Sequence, residues 1–426
     1  MLDSATAGKI KNAVDAGFDE QVDFTAELVR FPSRRGREHT AQDFMALAMR
    51  DQGLAVDRWQ IDVKQLMHLP GFSPVYVDYD NAFNVVGAHR DESSKGRSLI
   101  LNGHIDVVPE GPVEMWSSPP YEPRVEGGWM YGRGSGDMKA GLAGAMYALK
   151  ALDRIGVKPG ADVFLQSVVE EECTGNGALA CLVRGYRADA ALIPEPMGDC
   201  LVRAQIGVMW LQIKVQGIPV HVAYAGSGSN ALEAAYVLIQ GLKELEKKWN
   251  AERIDQPLYA DHDHPINFNV GKIQGGDWAS SVPSWCVFDL RVAVYPDDDL
   301  NSRRAELEAC IRDAASQDAF LRNAPPQVNY NGFLAEGYVL KDADEAENAL
   351  GWAHQEAYGQ ELRAEVTTAT TDARFFGLYA DTPGLVYGPL SDGIHGFDER
   401  VSLESVRQNT QAIALFVAEW CGLVVK

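Results

Sequence analysis

The segment Leu99-Ile100-Leu101-Asn102-Gly103-His104-Ile105-Asp106, followed by Tyr131-Gly132-Arg133-Gly134-Ser135-Gly136-Asp137-Met138-Lys139, decides the fold. The first half is an apolar run of the kind found in strands buried on both faces, and it stops at a His-x-Asp. His104 therefore emerges at a strand end, with Asp106 two residues on to hold its ring. The second half sets Asp137 in a loop freed by Gly132, Gly134 and Gly136, just ahead of a helix expected from Lys139 to Ile155. A carboxylate there can bridge two cations through its two oxygens, or cap the helix, and both roles can hold at once. A dinucleotide-binding loop is excluded. Lys139 stands where the last glycine of G-x-G-x-x-G would fall after Gly134, and no strand is expected immediately before it.

On either side of this segment, strands alternate with helices. Strands are expected at Ala55 to Trp59, Asn84 to Gly87, Ser98 to Gly103 and Asp162 to Val169, and helices at Ile10 to Arg30 and Thr40 to Gln52. Apolar strands alternating with amphipathic helices predict a mostly parallel sheet sandwiched between helices. From Gly207 the texture changes. Val208-Met209-Trp210-Leu211-Gln212-Ile213-Lys214-Val215 alternates as a strand with one wet face does, and a helix follows from Asn230 to Trp249. Strands at Ile266 to Val270 and Trp285 to Val294, with a helix from Leu300 to Ala315, complete a small α+β unit. After Pro325-Pro326 a strand near Val328 to Tyr330 and a helix from Asp344 to Tyr358 return to the first style. The expected division is a catalytic domain of residues 1–206 and 327–426 with residues 207–326 inserted.

Two more strand ends carry acids. Glu170-Glu171-Glu172 follows the strand ending at Val169, and three adjacent carboxylates there repel one another unless cations or protons intervene. Neighbouring residues of an extended segment point opposite ways, so one glutamate can ligate while another moves protons. Ala190-Ala191-Leu192-Ile193-Pro194-Glu195-Pro196 ends a fourth apolar strand in a carboxylate held between prolines. Ligand sites of open α/β sheets lie outside the carboxyl ends of the strands, which is where His104, Glu172 and Glu195 stand, with Asp137 in the loop after the His104 strand.

The chain has 426 residues, 46% hydrophobic and 23% charged, which is the balance of a globular protein of two or three domains. Its net charge of -22 repels phosphate backbones and anionic lipid, so nucleic acid and membrane partners are not expected. No signal-peptide core can be drawn through Met1 to Phe18, and no apolar stretch reaches the roughly 18 to 20 residues of a membrane span. Six cysteines without CxxC pairs fit reduced thiols, and the expected location is the cytoplasm.

These motifs resemble those of the di-zinc amidohydrolase family that contains acetylornithine deacetylase, succinyl-diaminopimelate desuccinylase, aminoacylase and the glutamate-releasing carboxypeptidases. Gly-His-x-Asp, Gly-x-x-Asp-Met-Lys, the paired glutamates and a late histidine in Gly393-Ile394-His395-Gly396-Phe397-Asp398-Glu399 occur in order over nearly the whole chain. The resemblance implies two divalent ions, zinc first, with cobalt or manganese as alternatives. His104 and Glu195 would bind one, Glu172 and His395 the other, with Asp137 bridging. Asp106 would orient His104, and Glu171 would be the general base. It further implies a ferredoxin-like inserted domain that acts as lid and dimer contact, with His221 reaching the partner subunit's active site and Asn230 at the family's spacing behind it. Arg374, in Thr371-Asp372-Ala373-Arg374, matches the arginine that holds a substrate carboxylate. Arg291 is a further candidate, although the family's strand arginine stands nearer the following proline, at the place of Ala293 here. The implied activity is hydrolysis of a small amide, an N-acyl amino acid or its like. The alternative is a dipeptidase or carboxypeptidase of the same chemistry. A non-catalytic protein on the same scaffold would carry a damaged ligand set, and this chain does not.

Overall fold

The computed structural model describes residues 2–91 and 95–426. Across the largest sheet, Ala55–Gln60, Phe83–His89, Val163–Val168, Leu99–His104, Ala190–Ile193, Gly384–Val386, Leu201–Gln205 and Tyr338–Val339 lie side by side, with Ala364–Thr367 paired to Leu201–Gln205 as a ninth strand. The middle four, from Val163–Val168 to Gly384–Val386, run parallel, and the flanking pairs are antiparallel except for Ala364–Thr367, which runs parallel to Leu201–Gln205. Every residue of Leu99–His104 and Val163–Val168 is buried, so both faces of the sheet's centre are covered. Helices Ala140–Arg154 and Leu403–Cys421 pack on each other and on Leu99–His104, while His39–Asp51 packs on the Phe83–His89 strand.

Register gathers the strand ends. Leu101 lies beside both Leu165 and Leu192, and His104 beside Val168, so His104, the glutamates after Val169 and Glu195 leave the sheet at one edge.

A second sheet is antiparallel throughout, in the order Phe268–Gly275, Trp285–Val294, Gly207–Gln216, Gln327–Ala335. Its alternation is resolved by helices Ala231–Ala251 and Leu300–Gln317. Met209, Leu211, Ile213 and Val215 join Leu238, Leu242, Leu307 and Ile311 in one core, separate from that of the large sheet. Val208 leaves the sheet on the other side and packs with Phe333 and Trp210.

Three expectations change. Ile10 to Arg30 is not one helix but two, Ser4–Ala16 and Phe18–Arg30. The break falls at Gly17, where the Arg154 guanidinium lies so close that an added Cβ would overlap it. The strand after Pro325-Pro326 does not return to the large sheet. Gln327–Ala335 pairs with Gly207–Gln216, so the smaller unit reaches Ala335. A two-proline break resembles a domain boundary in sequence, but here it only turns the chain into an edge strand. Finally, a short strand, Trp129–Tyr131, does precede the Gly132–Asp137 loop. It belongs to a side sheet with Arg124–Glu126, Arg400–Ser402 and Ser391–Asp392. Among the described residues no helix is long and apolar enough to cross a membrane, and all six cysteines are free thiols.

Candidate metal centre

Five proposed ligands converge from two sources. The parallel strand ends deliver His104, Glu172 and Glu195, and the side sheet delivers Asp137 just after Trp129–Tyr131 and His395 just after Ser391–Asp392. Asp137 stands between the two histidines. Its Oδ1 lies 3.1 Å from His104 Nε2 and its Oδ2 lies 3.2 Å from His395 Nε2. Glu195 Oε2 is 3.8 Å from His104 Nε2, and Glu172 Oε2 is 3.2 Å from His395 Nε2. Glu171 Oε2 reaches to 3.9 Å from His104 Nε2.

The ring of His104 is held differently from the expectation. Its Nδ1 donates to the backbone carbonyl of Asp106 at 2.9 Å, while the Asp106 carboxylate lies at 3.6 Å. That carboxylate instead accepts the backbone N–H groups of Glu171 and Glu172, at 3.4 and 3.1 Å. Asp106 thus orients the imidazole with its main chain and the glutamate pair with its side chain.

Charge in this cluster is unbalanced. Burial pushes the pKa of Glu171 and Glu195 well up, against the attraction of His104, and neighbouring carboxylates add to the rise. Burial likewise brings Asp106 to about 7 despite His104. Asp137 goes the other way. Burial opposes its ionisation, but hydrogen bonds from His104 and His395 hold it well below the usual carboxylate range. Burial disfavours a charged His104, yet Glu195, Asp137 and Glu171 together hold its pKa well above the usual value. Glu172, with Asp137 adding to it, raises that of His395 to about 11. Protons on two imidazoles here do what cations do, since so many buried carboxylates need positive charge between them. Glu172 Oε1 is buried without a hydrogen-bond partner among the described residues. Oxygen and imidazole donors spaced around a shared carboxylate, with one donor atom left over, fit divalent ions.

The support for Asp137 was not visible from the motifs. Glu399 Oε1 accepts the N–H groups of Gly136 and Asp137 at 3.0 and 3.1 Å, and its Oε2 takes Arg133 Nη1 at 2.5 Å. Arg133 Nη2 donates to the carbonyl of Gly396 at 2.9 Å, beside His395. One buried ion pair therefore ties the Asp137 loop to the His395 loop. Arg133 and Glu399 lie 266 residues apart in sequence, which conceals the pairing. Glu38 was also missed. It is buried near Asp106, and burial, with the Asp106 charge added, brings its pKa to about 8.

A cavity of about 900 Å³ opens between the ligands and the small sheet, lined by Glu171, Glu172, His395, Trp210, Arg291 and Phe333 among others. Arg291 lies on this wall and donates to the Thr368 carbonyl at 3.4 Å. Arg374 does not. It is buried, donates to the Thr174 carbonyl at 3.0 Å and stacks on Phe375, and so supports the turn after the glutamates. His221 is exposed on the smaller unit, its Nδ1 accepting from the Ala223 N–H, and does not line this cavity. Asn230 caps the Ala231–Ala251 helix through its carbonyl oxygen. The structure does not bring these two to the cluster of their own chain.

The sequence profile described as Peptidase family M20/M25/M40 matches residues 100–419. The N-formyl-4-amino-5-aminomethyl-2-methylpyrimidine deformylase of Halalkalibacterium halodurans is 29% identical over 434 aligned positions, covering 96% of each chain. The succinyl-diaminopimelate desuccinylase of Polynucleobacter necessarius is 27% identical over 73% of this chain and 79% of its own. Among solved structures, the dipeptidase Dug1p of Saccharomyces cerevisiae superposes with a TM-score of 0.80 at 14% identity, covering 98% of this chain and 99% of that one.

Proposed function

This chain belongs to peptidase family M20/M25/M40 and is a hydrolytic enzyme acting on amides, and from that premise we propose that it is a two-metal deacylase that removes a small acyl group from an amine. The observation that carries the reading is the single carboxylate of Asp137 facing both histidines, with Glu171 beside the same cluster. His104 and Glu195 would hold one divalent ion, Glu172 and His395 the other, and Asp137 both. Zinc is the first expectation, with cobalt or manganese also compatible with these donors. When bound, such ions polarise the amide carbonyl and make a water acidic enough to ionise near neutral pH.

Glu171 is the base in this scheme. It takes a proton from the attacking water, whose oxygen bonds to the acyl carbon. The C–N bond then breaks, and Glu171 returns the proton to the departing nitrogen, giving a carboxylic acid and an amine. Asp106 positions Glu171 through the backbone N–H groups it accepts. His221 would come from a second copy of the chain and donate to the carbonyl oxygen as charge develops there. The dimer contact proposed for this uses the smaller unit, where Val222, Tyr224, Tyr236 and Trp278 are exposed near the His221 loop and the start of the following helix. Arg291, which lines the cavity, is the candidate for holding a hydrogen-bond acceptor of the substrate. Six free thiols fit a reducing cytoplasm, which is part of the same reading.

The deformylase and desuccinylase relatives favour an acyl group that is not itself an amino acid. The test is a panel of N-formyl, N-acetyl and N-succinyl amines against dipeptides, run on zinc-loaded protein. Release of formate, acetate or succinate supports the deacylase, and release of amino acids from dipeptides alone replaces it with a dipeptidase. Glu171→Gln should lower kcat about 10²- to 10⁴-fold on whichever amide is cleaved. Unchanged turnover would remove Glu171 from the mechanism.

A further inference from the structure

The face of the small sheet that its helices do not cover looks into the cavity beside the metal ligands, and one row of side chains crosses it. Asn269 stands opposite Arg291, and Arg291 opposite Trp210, on three adjacent strands. Next to them the ring of Phe333 meets the Trp210 indole edge-on, with centroids 5.3 Å apart and planes at 87°. All four residues line the cavity together with Glu171, Glu172 and His395.

The position of the indole is fixed from behind. At Gly332 a Cβ would come within 2.6 Å of the Trp210 ring and 3.1 Å of the Cys173 carbonyl. Glycine thus lets the indole lie between its own sheet and the segment that carries Glu172. The indole N–H is buried without a partner among the described residues, a cost that apolar packing alone could have avoided with phenylalanine. An alternating strand normally places polar residues on its open face. This sheet face instead places the rings of Trp210 and Phe333, from two strands, in the wall of the cavity, flanked by an amide and a guanidinium.

We propose that this row is the binding site for a planar aromatic ring carried by the amide substrate, with the ring against Trp210 and Phe333 and with Asn269 and Arg291 donating hydrogen bonds to acceptors on that ring. The substrate class is then an N-acylated amine bearing a nitrogen heteroaromatic ring, in preference to an aliphatic N-acyl amino acid. The inference rests on the amide-hydrolase reading of the neighbouring cluster and narrows it.

Two formamides of matched size test it on the zinc-loaded full-length protein: N-(pyridin-3-ylmethyl)formamide and N-(cyclohexylmethyl)formamide. The aromatic one should show a kcat/KM about tenfold higher, the scale of a ring-on-ring contact. Trp210→Ala should bring that ratio to about one, while Trp210→Phe keeps most of it. A ratio cancels any general loss of folded or metal-loaded enzyme. Separately, calorimetric titration with the two product amines should show the pyridine amine binding more tightly. Equal kcat/KM for the two formamides, or a preference that survives Trp210→Ala, overturns the aromatic site, and so do equal affinities for the two amines. Failure to cleave either formamide would count against the deformylating reading, while the amine titration still decides whether the ring is bound.

Discussion

The two halves of the ligand cluster are built by different means. His104 sits at the end of a strand buried on both faces, and its side chain is 0% exposed, whereas the side chain of His395 is 54% exposed and sits on a loop with a left-handed backbone at φ 60°. The first half is set by sheet register, which a change of one residue would disrupt throughout the core. The second half is set by a small side sheet and one buried ion pair, Arg133 with Glu399. A ligand supplied by register is rigid and costly to alter, and one supplied by a loop is adjustable and depends on local support.

Removing either histidine should separate the two halves most strongly. His104→Ala leaves Asp137, Glu171 and Glu195 buried without their shared cation, so we expect loss of both ions, a fall in kcat of about 10³-fold or more and a clear drop in Tm. His395→Ala should cost one ion and much of the activity but leave Tm close to that of the parent measured with one ion bound. Elemental analysis and calorimetry check both, and equal behaviour of the two variants would show that the halves are not distinct.

Arg133→Met sharpens the point by touching no ligand. Breaking a buried pair costs about 3 to 5 kcal/mol, and metal affinity at the His395 half should fall about 10- to 100-fold, as for lost support behind a ligand. Titration with zinc should therefore resolve a weakened site and an intact one. Both sites weakening alike would mean that the pair serves stability only.

A smaller effect belongs to Glu38, behind the His104 half. Its folded pKa of about 8 lies above its ordinary value, so folding takes up a proton between the two. The contribution is therefore most favourable at low pH and is lost as pH rises through about 8. Glu38→Gln should flatten the fall in Tm between about pH 4.5 and about pH 8. An unchanged slope would show that Glu38 stays ionised in the fold.

The same contrast explains what could be read in the sequence. Apolar runs ending in His104, Glu172 and Glu195 announce parallel strands and ligands at once, because burial on both faces leaves few choices of residue. Asp137 and His395 were legible only as motifs. The side sheet that carries them is made of strands of two or three residues, too short for any periodicity to show. The strand near Val328 to Tyr330 reads as a return to the first style, yet it pairs with the small sheet, because a proline break looks alike in a linker and in a turn. The motif around Arg374 points to a substrate carboxylate, and only packing shows that its guanidinium is enclosed.

The claim on which the rest depends is that Asp137 faces two cations at once. A crystal of zinc-loaded protein, with anomalous data collected at the zinc edge, measures this directly. Two peaks are expected, one on each side of Asp137, about 3.5 to 4 Å apart, with His104 and Glu195 at one and His395 and Glu172 at the other. A single peak, or peaks away from Asp137, would contradict it.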